Sequence, residues 1–177
     1  LLRAGAHKVV SFTPHPPEDG SVHISKHLLT PLSDLGIEIR DAIPRVIPTQ
    51  EDRQAAAQIL KNHDAPNPAI IHPGSGGEWK CWAADRFAQT ADGLCHQTER
   101  PTILLKGPAD STRVRQVIGQ MRTTPVLLPQ LPIGQLAAVL ECATVFLGND
   151  SGPTHLSAAV GAPTIALFGP TDPAIWS

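Results

Sequence analysis

Five short apolar runs, each closed by a polar or glycine-bearing loop, set the tightest limit on how this chain folds: Ala69–His72, Thr102–Lys106, Pro125–Leu128, Thr144–Leu147 and Pro163–Phe168. Between them lie stretches with apolar residues at helical spacing. Phe87, Ala88, Ala91 and Leu94 mark a helix over 83–97, residues 110–121 a second, and Leu136, Val139 and Leu140 a third over Ile133–Cys142. The small residues of Pro153–Val160 mark a fourth. Strands this short and apolar are covered on both faces, and their alternation with helices demands βαβ crossovers. The expectation is an α/β fold, a parallel sheet with helices on both faces and its strand C-termini along one edge. Ligands of such sheets bind in the crevice at that edge.

The chain before this pattern reads differently. Thr49 with Asp52 is a capping signal for a helix at 50–62. Upstream, His7–Phe12 suggests a short strand, and Thr13-Pro14-His15-Pro16-Pro17 a loop, since proline lacks a donor and restricts its neighbour. Ile24, Leu28, Leu29, Leu32 and Leu35 form a helix-like stripe in His23–Gly36, with a break or kink expected at Pro31. A proline-bearing linker follows at Ile43–Thr49.

Composition narrows the classes of function. Among 177 residues, 41% are hydrophobic and the net charge is -2, as in an ordinary globular chain with no broad pull toward nucleic acid. Anion binding then has to come from a local site. Cys81, Cys95 and Cys142 are odd in number and lack C-x-x-C spacing, so reduced thiols in a cytosol are expected. No histidine pattern has ligand spacing, so no metal is expected. No apolar run has the length of a membrane span, and the start lacks the regions of a signal peptide.

Four loops at the expected sheet edge carry the chemistry. In HPGSGGEWKCW (72–82), Gly74, Gly76 and Gly77 permit positive φ and close approach of backbone to a ligand. Ser75 adds a hydroxyl and Lys80 a point charge suited to phosphate. The loop is neither a Walker A motif nor a complete G-x-G-x-x-G, because Trp79 stands in the third glycine's place. A glycine-rich surface turn with a solvated lysine reads equally well.

In the second loop, Gly148–Thr154, a strand hands over to a helix that starts near Pro153, and helix-start amides bind anions. The helix dipole adds only about 0.3–1 kcal/mol, so several loops must converge for useful affinity. Asp150 repels phosphate, and Asp150 or Ser151 as a simple helix cap is the alternative. His155 lies in the first helical turn, beside the loop, which favours ligand contact. In KGPADSTR (106–113), Asp110 suits a ribose diol, although its spacing favours a cap of the next helix. In LPQLP (128–132), Leu131 is either an apolar wall for a base or a core leucine.

IHPGSGGEWKCWAADRFA (71–88), the long segment 128–173 from LPQLPIGQ to FGPTDP, and the weaker ILLKGPAD (103–110) together resemble the family 9 glycosyltransferases, the ADP-heptose:lipopolysaccharide heptosyltransferases. The resemblance covers residues 50–177 well and 1–49 loosely. It implies a GT-B enzyme, two Rossmann-like domains across a cleft, with residues 1–48 a remnant of the first plus the linker. Residues 49–177 would be the nucleotide-sugar-binding domain, truncated at its C-terminus. Carried onto this chain, it places Lys80, Gly74 and Ser75 at the donor diphosphate. Asp150, Ser151, Gly152 and His155 would hold the diphosphate and sugar end, with Asp110 at the ribose and Leu131 at the adenine. The family's Asp-Thr-Gly-Leu-x-His reads Asp150-Ser151-Gly152-Pro153-Thr154-His155 here, and Cys81 stands where a basic residue is frequent.

The activity implied is inverting transfer of heptose or a related sugar from an ADP-sugar to a saccharide or lipid-linked saccharide. No cofactor, metal or nucleic acid is involved. The general base belongs to an early loop of the first domain, so this chain alone is expected to be inactive. The location implied is the cytoplasm, peripherally at the inner face of the plasma membrane, and an exposed cleft face would favour self-association. Two other readings remain at this stage: a non-catalytic nucleotide- or phosphosugar-binding module, and another GT-B-like enzyme such as a sugar-nucleotide epimerase.

Overall fold

The computed structural model describes residues 9–17 and 19–177. The chain divides into two compact units, Leu1–Pro44 with Asp172–Ser177, and Arg45–Thr171. The expected division lay at 48/49; the observed one falls at Pro44/Arg45 and assigns the last six residues, Asp172–Ser177, to the first unit.

In the larger unit, helix α2 (Gln50–Asn62) starts at the expected capping box, with the Thr49 hydroxyl accepting from the Asp52 amide and the Asp52 carboxylate from the Thr49 amide. Strand β1 (Ala69–His72), helix α3 (Ala84–Thr98), strand β2 (Ile103–Leu104) and helix α4 (Ser111–Ile118) follow. Strand β3 (Val126–Leu127), helix α5 (Ile133–Glu141), strand β4 (Val145–Asn149), helix α6 (Gly152–Ala159) and strand β5 (Thr164–Leu167) complete it. The sheet is parallel throughout, in the order β3-β2-β1-β4-β5.

Side-chain alternation divides the core in two. Ile70 pairs in register with Ile103 and Phe146, and all three face a cluster that includes Ala56 and Leu60 of α2 and Val139 and Leu140 of α5. Ile71, Leu104 and Leu147 face the other side, against Phe87 and Ala88 of α3 and Val114 and Val117 of α4. Helices therefore cover both faces, as the apolar strands require. Three strands, β2, β3 and β5, are shorter than their apolar runs. Beyond β2, one further ladder bond forms, from the Leu105 amide to the Ile71 carbonyl, before the chain turns out at Lys106. Strand β3 is one edge of the sheet, and Leu127 is exposed there.

In the first unit, helix α1 (Ile24–Asp34) runs on through Pro31, so of the expected break or kink the break does not occur. Pro31 has no N–H for the His27 carbonyl, so the cost is one missing helical bond, not an end to the helix. Residues 9–12 form no strand; the rest of the expected strand, 7–8, lies outside the described residues. Helix α7 (Pro173–Trp176) is capped by Asp172, whose carboxylate accepts from the Ala174 amide at 2.8 Å. His23 contacts the Ser177 carbonyl, and the His15 ring meets Trp176 edge-on.

Candidate functional site

Strands β1 and β4 are neighbours, but the chain leaves them toward opposite faces, β1 to α3 and β4 to α6. A crevice opens at such a switch point. Asn149, fully buried at the end of β4, fixes its two walls together. Its Oδ1 accepts from the Trp82 amide at 2.9 Å, and its Nδ2 donates to the Pro73 and Gly74 carbonyls at 2.9 and 3.2 Å. One side chain thus holds both ends of the 72–82 loop against the loop after β4. Its role escapes sequence reading because its partners are backbone atoms more than sixty residues away.

Asp150 is the hub of the crevice. Its carboxylate accepts from Lys80 Nζ at 2.9 Å, from the Thr171 hydroxyl at 2.8 Å and from His155 Nε2 at 3.1 Å, and Ser75 donates to its carbonyl at 2.7 Å. Burial opposes ionisation of Asp150, but the hydrogen bonds from Lys80, Thr171 and His155 prevail and hold the carboxyl below the usual aspartate value. Lys80 spends one of its three donors here, and its ammonium also lies 5.4 Å from the centre of the Trp79 ring.

Beneath this hub runs a second chain of contacts. His72, buried at the end of β1, places Nε2 3.0 Å from Asp110 Oδ2 and Nδ1 3.1 Å from Ser151 Oγ. Ser151 Oγ lies 3.0 Å from Thr154 Oγ1, which itself donates to the Asn149 carbonyl. The His72 hydrogen bond holds the Asp110 carboxyl low against burial, helped by the Gly107 amide at 2.8 Å.

These contacts correct three expectations. Asp110 stands at the cap position of α4, yet its side chain caps nothing, because it turns back to His72 and Gly107. Ser151 precedes α6 without a side-chain cap bond, and the Asp150 carboxylate is bound elsewhere. Gly74, Gly76 and Gly77 do not take positive φ; among the described residues, the glycines that do are Gly20, Gly36 and Gly161. Gly74 is needed for space, since a Cβ there would lie 2.1 Å from Asp110 Oδ1. No neighbour approaches a Cβ added at Gly76 or at Gly152, which opens α6 beside Ser151.

On the β2–β3 side of His72 lies a cleft of about 200 Å³ lined by Leu105, Gly107, Leu128, Leu131, Leu136 and Pro153. Leu131 both lines it and packs on the core. The Cys81 thiol donates to the Gly77 carbonyl, and burial pushes its pKa up. Arg113, given no role by sequence, has Nε and Nη2 buried without a hydrogen-bond partner in the protein. Among the described residues, no group of three or more His, Cys, Asp or Glu could hold a metal ion, and no helix is long and apolar enough to cross a membrane.

The sequence and fold are similar to known proteins. Lipopolysaccharide heptosyltransferase 3 of Escherichia coli is 34% identical over 114 residues, which cover 62% of this chain and 33% of that protein. The crystal structure of the glycosyl transferase family 9 from Veillonella parvula DSM 2008 superposes with a TM-score of 0.77 at 28% identity, covering 89% of this chain and 46% of that one. The structure of E. coli heptosyltransferase WaaC with ADP-2-deoxy-2-fluoro heptose gives 0.56 at 25% identity, covering 85% and 46%. The chain thus spans a third to a half of the length of these relatives. The model of glycosyltransferase family 9 (heptosyltransferase) matches residues 14–177, and the chain belongs to that family.

Proposed function

We propose that this chain holds the ADP-sugar donor of a heptosyltransferase, which passes heptose or a related sugar to a lipopolysaccharide-type saccharide with inversion. The observation that carries this reading is the convergence on Asp150 of Lys80, from the loop after β1, and His155, from the start of α6. In this proposal Asp150 works as a brace: it aims the ammonium and the imidazole, and Lys80 keeps two N–H donors for the diphosphate. Helix-start amides at Gly152 add favourable dipole. Adenine occupies the apolar cleft against Leu131, and Gly74 and Ser75 form the floor beside the diphosphate. A relative bound to an ADP-sugar supports the donor class.

Asp110 reaches the ribose only from beside His72, so its part is to fix that ring as well as to meet a hydroxyl. A general base for the acceptor needs a carboxylate within reach of the reacting hydroxyl. Both buried carboxylates of this site are already engaged, Asp150 by three donors and Asp110 by His72 and Gly107. Neither is free to serve as that base; with the base supplied by the first GT-B domain, as the family resemblance implies, residues 45–171 alone turn over no sugar.

Calorimetric titration with ADP and ADP-heptose tests the reading. Lys80→Ala and His155→Ala are each expected to weaken binding about tenfold or more, the scale of a lost charge-assisted hydrogen bond. Unchanged affinity in both variants would remove the diphosphate from this crevice.

A further inference from the structure

The contacts under the switch point restrict where protons sit. A carboxylate can only accept, so His72 Nε2, 3.0 Å from Asp110 Oδ2, must carry a hydrogen. On the neutral ring, Nδ1 is then bare and needs a donor. The hydroxyl within reach is Ser151 Oγ at 3.1 Å. Ser151 has one proton for two neighbours, Nδ1 and Thr154 Oγ1. Either choice leaves one contact without a proton, and the imidazole nitrogen, a far stronger base than a hydroxyl oxygen, is the better place for it. Giving it to Nδ1 leaves two hydroxyl oxygens 3.0 Å apart, each with its proton used, because Thr154 donates to the Asn149 carbonyl.

Asp110 is well placed to impose this arrangement. Its Oδ2 also accepts from the Gly107 amide, and Gly74 and Gly107 leave room at the carboxylate that any Cβ would fill. The ring divides the site. Its Nε2 side faces Asp110 on the loop after β2, and its Nδ1 side faces Ser151, which shares the loop after β4 with Asp150 and His155.

We infer that His72 is a positioning residue: held as the Nε2–H tautomer by Asp110, it draws the Ser151 proton inward, so Ser151 presents lone pairs and accepts a hydroxyl of the transferred sugar. Ser151 then reads sugar, not phosphate. The helix-start residue that resembles a phosphate donor becomes a selector between an ADP-sugar and free ADP. This rests on the donor reading above, and it divides the labour of the loop: Lys80 and His155 for the diphosphate, Ser151 for hydroxyls.

Two measurements test it. Long-range proton–nitrogen correlation spectra of the chain, taken with neutral imidazoles, are expected to show His72 protonated at Nε2 and bare at Nδ1. In Asp110→Asn, whose amide can donate to Nε2, the proton is expected to move to Nδ1. A wild-type ring protonated at Nδ1 overturns the inference. In calorimetry, Ser151→Ala is expected to weaken ADP-heptose about threefold to tenfold while leaving ADP unchanged. His72→Gln is expected to do the same, and the double variant to add no further loss. Equal weakening of ADP and ADP-heptose, or no effect on either, overturns it. Failure of the wild-type chain to bind either ligand overturns the donor reading itself, and the imidazole spectrum still decides the tautomer.

Discussion

At the scale of single residues, the site is set by space and by hydrogen-bond accounting. Gly74 lies where a methyl group would strike the Asp110 carboxylate, which His72 and Gly107 hold in place. Gly74→Ala is expected to cost about 1–3 kcal/mol, the range for overpacking, and to lower Tm in a thermal melt. Asp150 makes a different prediction. Its folded pKa lies below its ordinary value of 3.8, so it contributes stability that is fully present above that value and lost as pH falls through the lower folded value. Asp150→Asn is thus expected to melt below wild type at neutral pH, with the gap closing as the pH drops below 3.8. A gap that stays constant with pH would show that the carboxylate is not ionised in the fold. Asp92, Asp110 and Glu141 are lowered in the same sense and contribute to acid sensitivity that remains in the variant.

At the scale of elements, the strands decide stability and the surface pairs do not. Phe146 of β4 is fully buried beside Ile70 and the α5 side chains, and Phe146→Ala is expected to cost about 3–5 kcal/mol by chemical denaturation. Arg53 of α2 meets Glu141 of α5 through two bonds at 2.7 and 2.8 Å, but the pair is open to water. Arg53→Ala is expected to cost no more than about 1 kcal/mol by the same measurement, because solvent screens such pairs. Element types were legible in the chain from Thr49 on: each apolar run became a strand, and Thr49 with Asp52 capped α2 as their spacing requires. Two things were not legible. Pro31 promised a break or a kink in α1, and which of the two was not legible; the helix continues, because losing one bond is cheaper than ending it there. The reach of β2 and β3 depends on their ladder partners, which local sequence does not contain.

At the scale of the whole molecule, burial is unevenly distributed between the two units. Every buried hydrophobic residue among those described lies in Arg45–Thr171, apart from Ile175 of α7, and α1 buries no residue. Amides of α1 are expected to exchange with deuterium orders of magnitude faster than those of β1 and β4, since local opening of α1 exposes little apolar surface. Protection of α1 equal to that of the central strands would contradict this.

The sequence by itself determined the class of fold, the loops that meet at the sheet edge and the family, because periodicity and loop chemistry are local properties. Lys80, Asp150, Ser151 and His155 could all be named from the chain alone. Tertiary structure decided what each one touches. Asp150 became a brace once Lys80, Thr171 and His155 reached it, and Asp110 left its cap for His72. Asn149, His72 and Arg113 gained their significance only then. The reason is physical: a hydrogen bond needs a partner within about 3 Å, and in a parallel sheet that partner comes from a distant crossover.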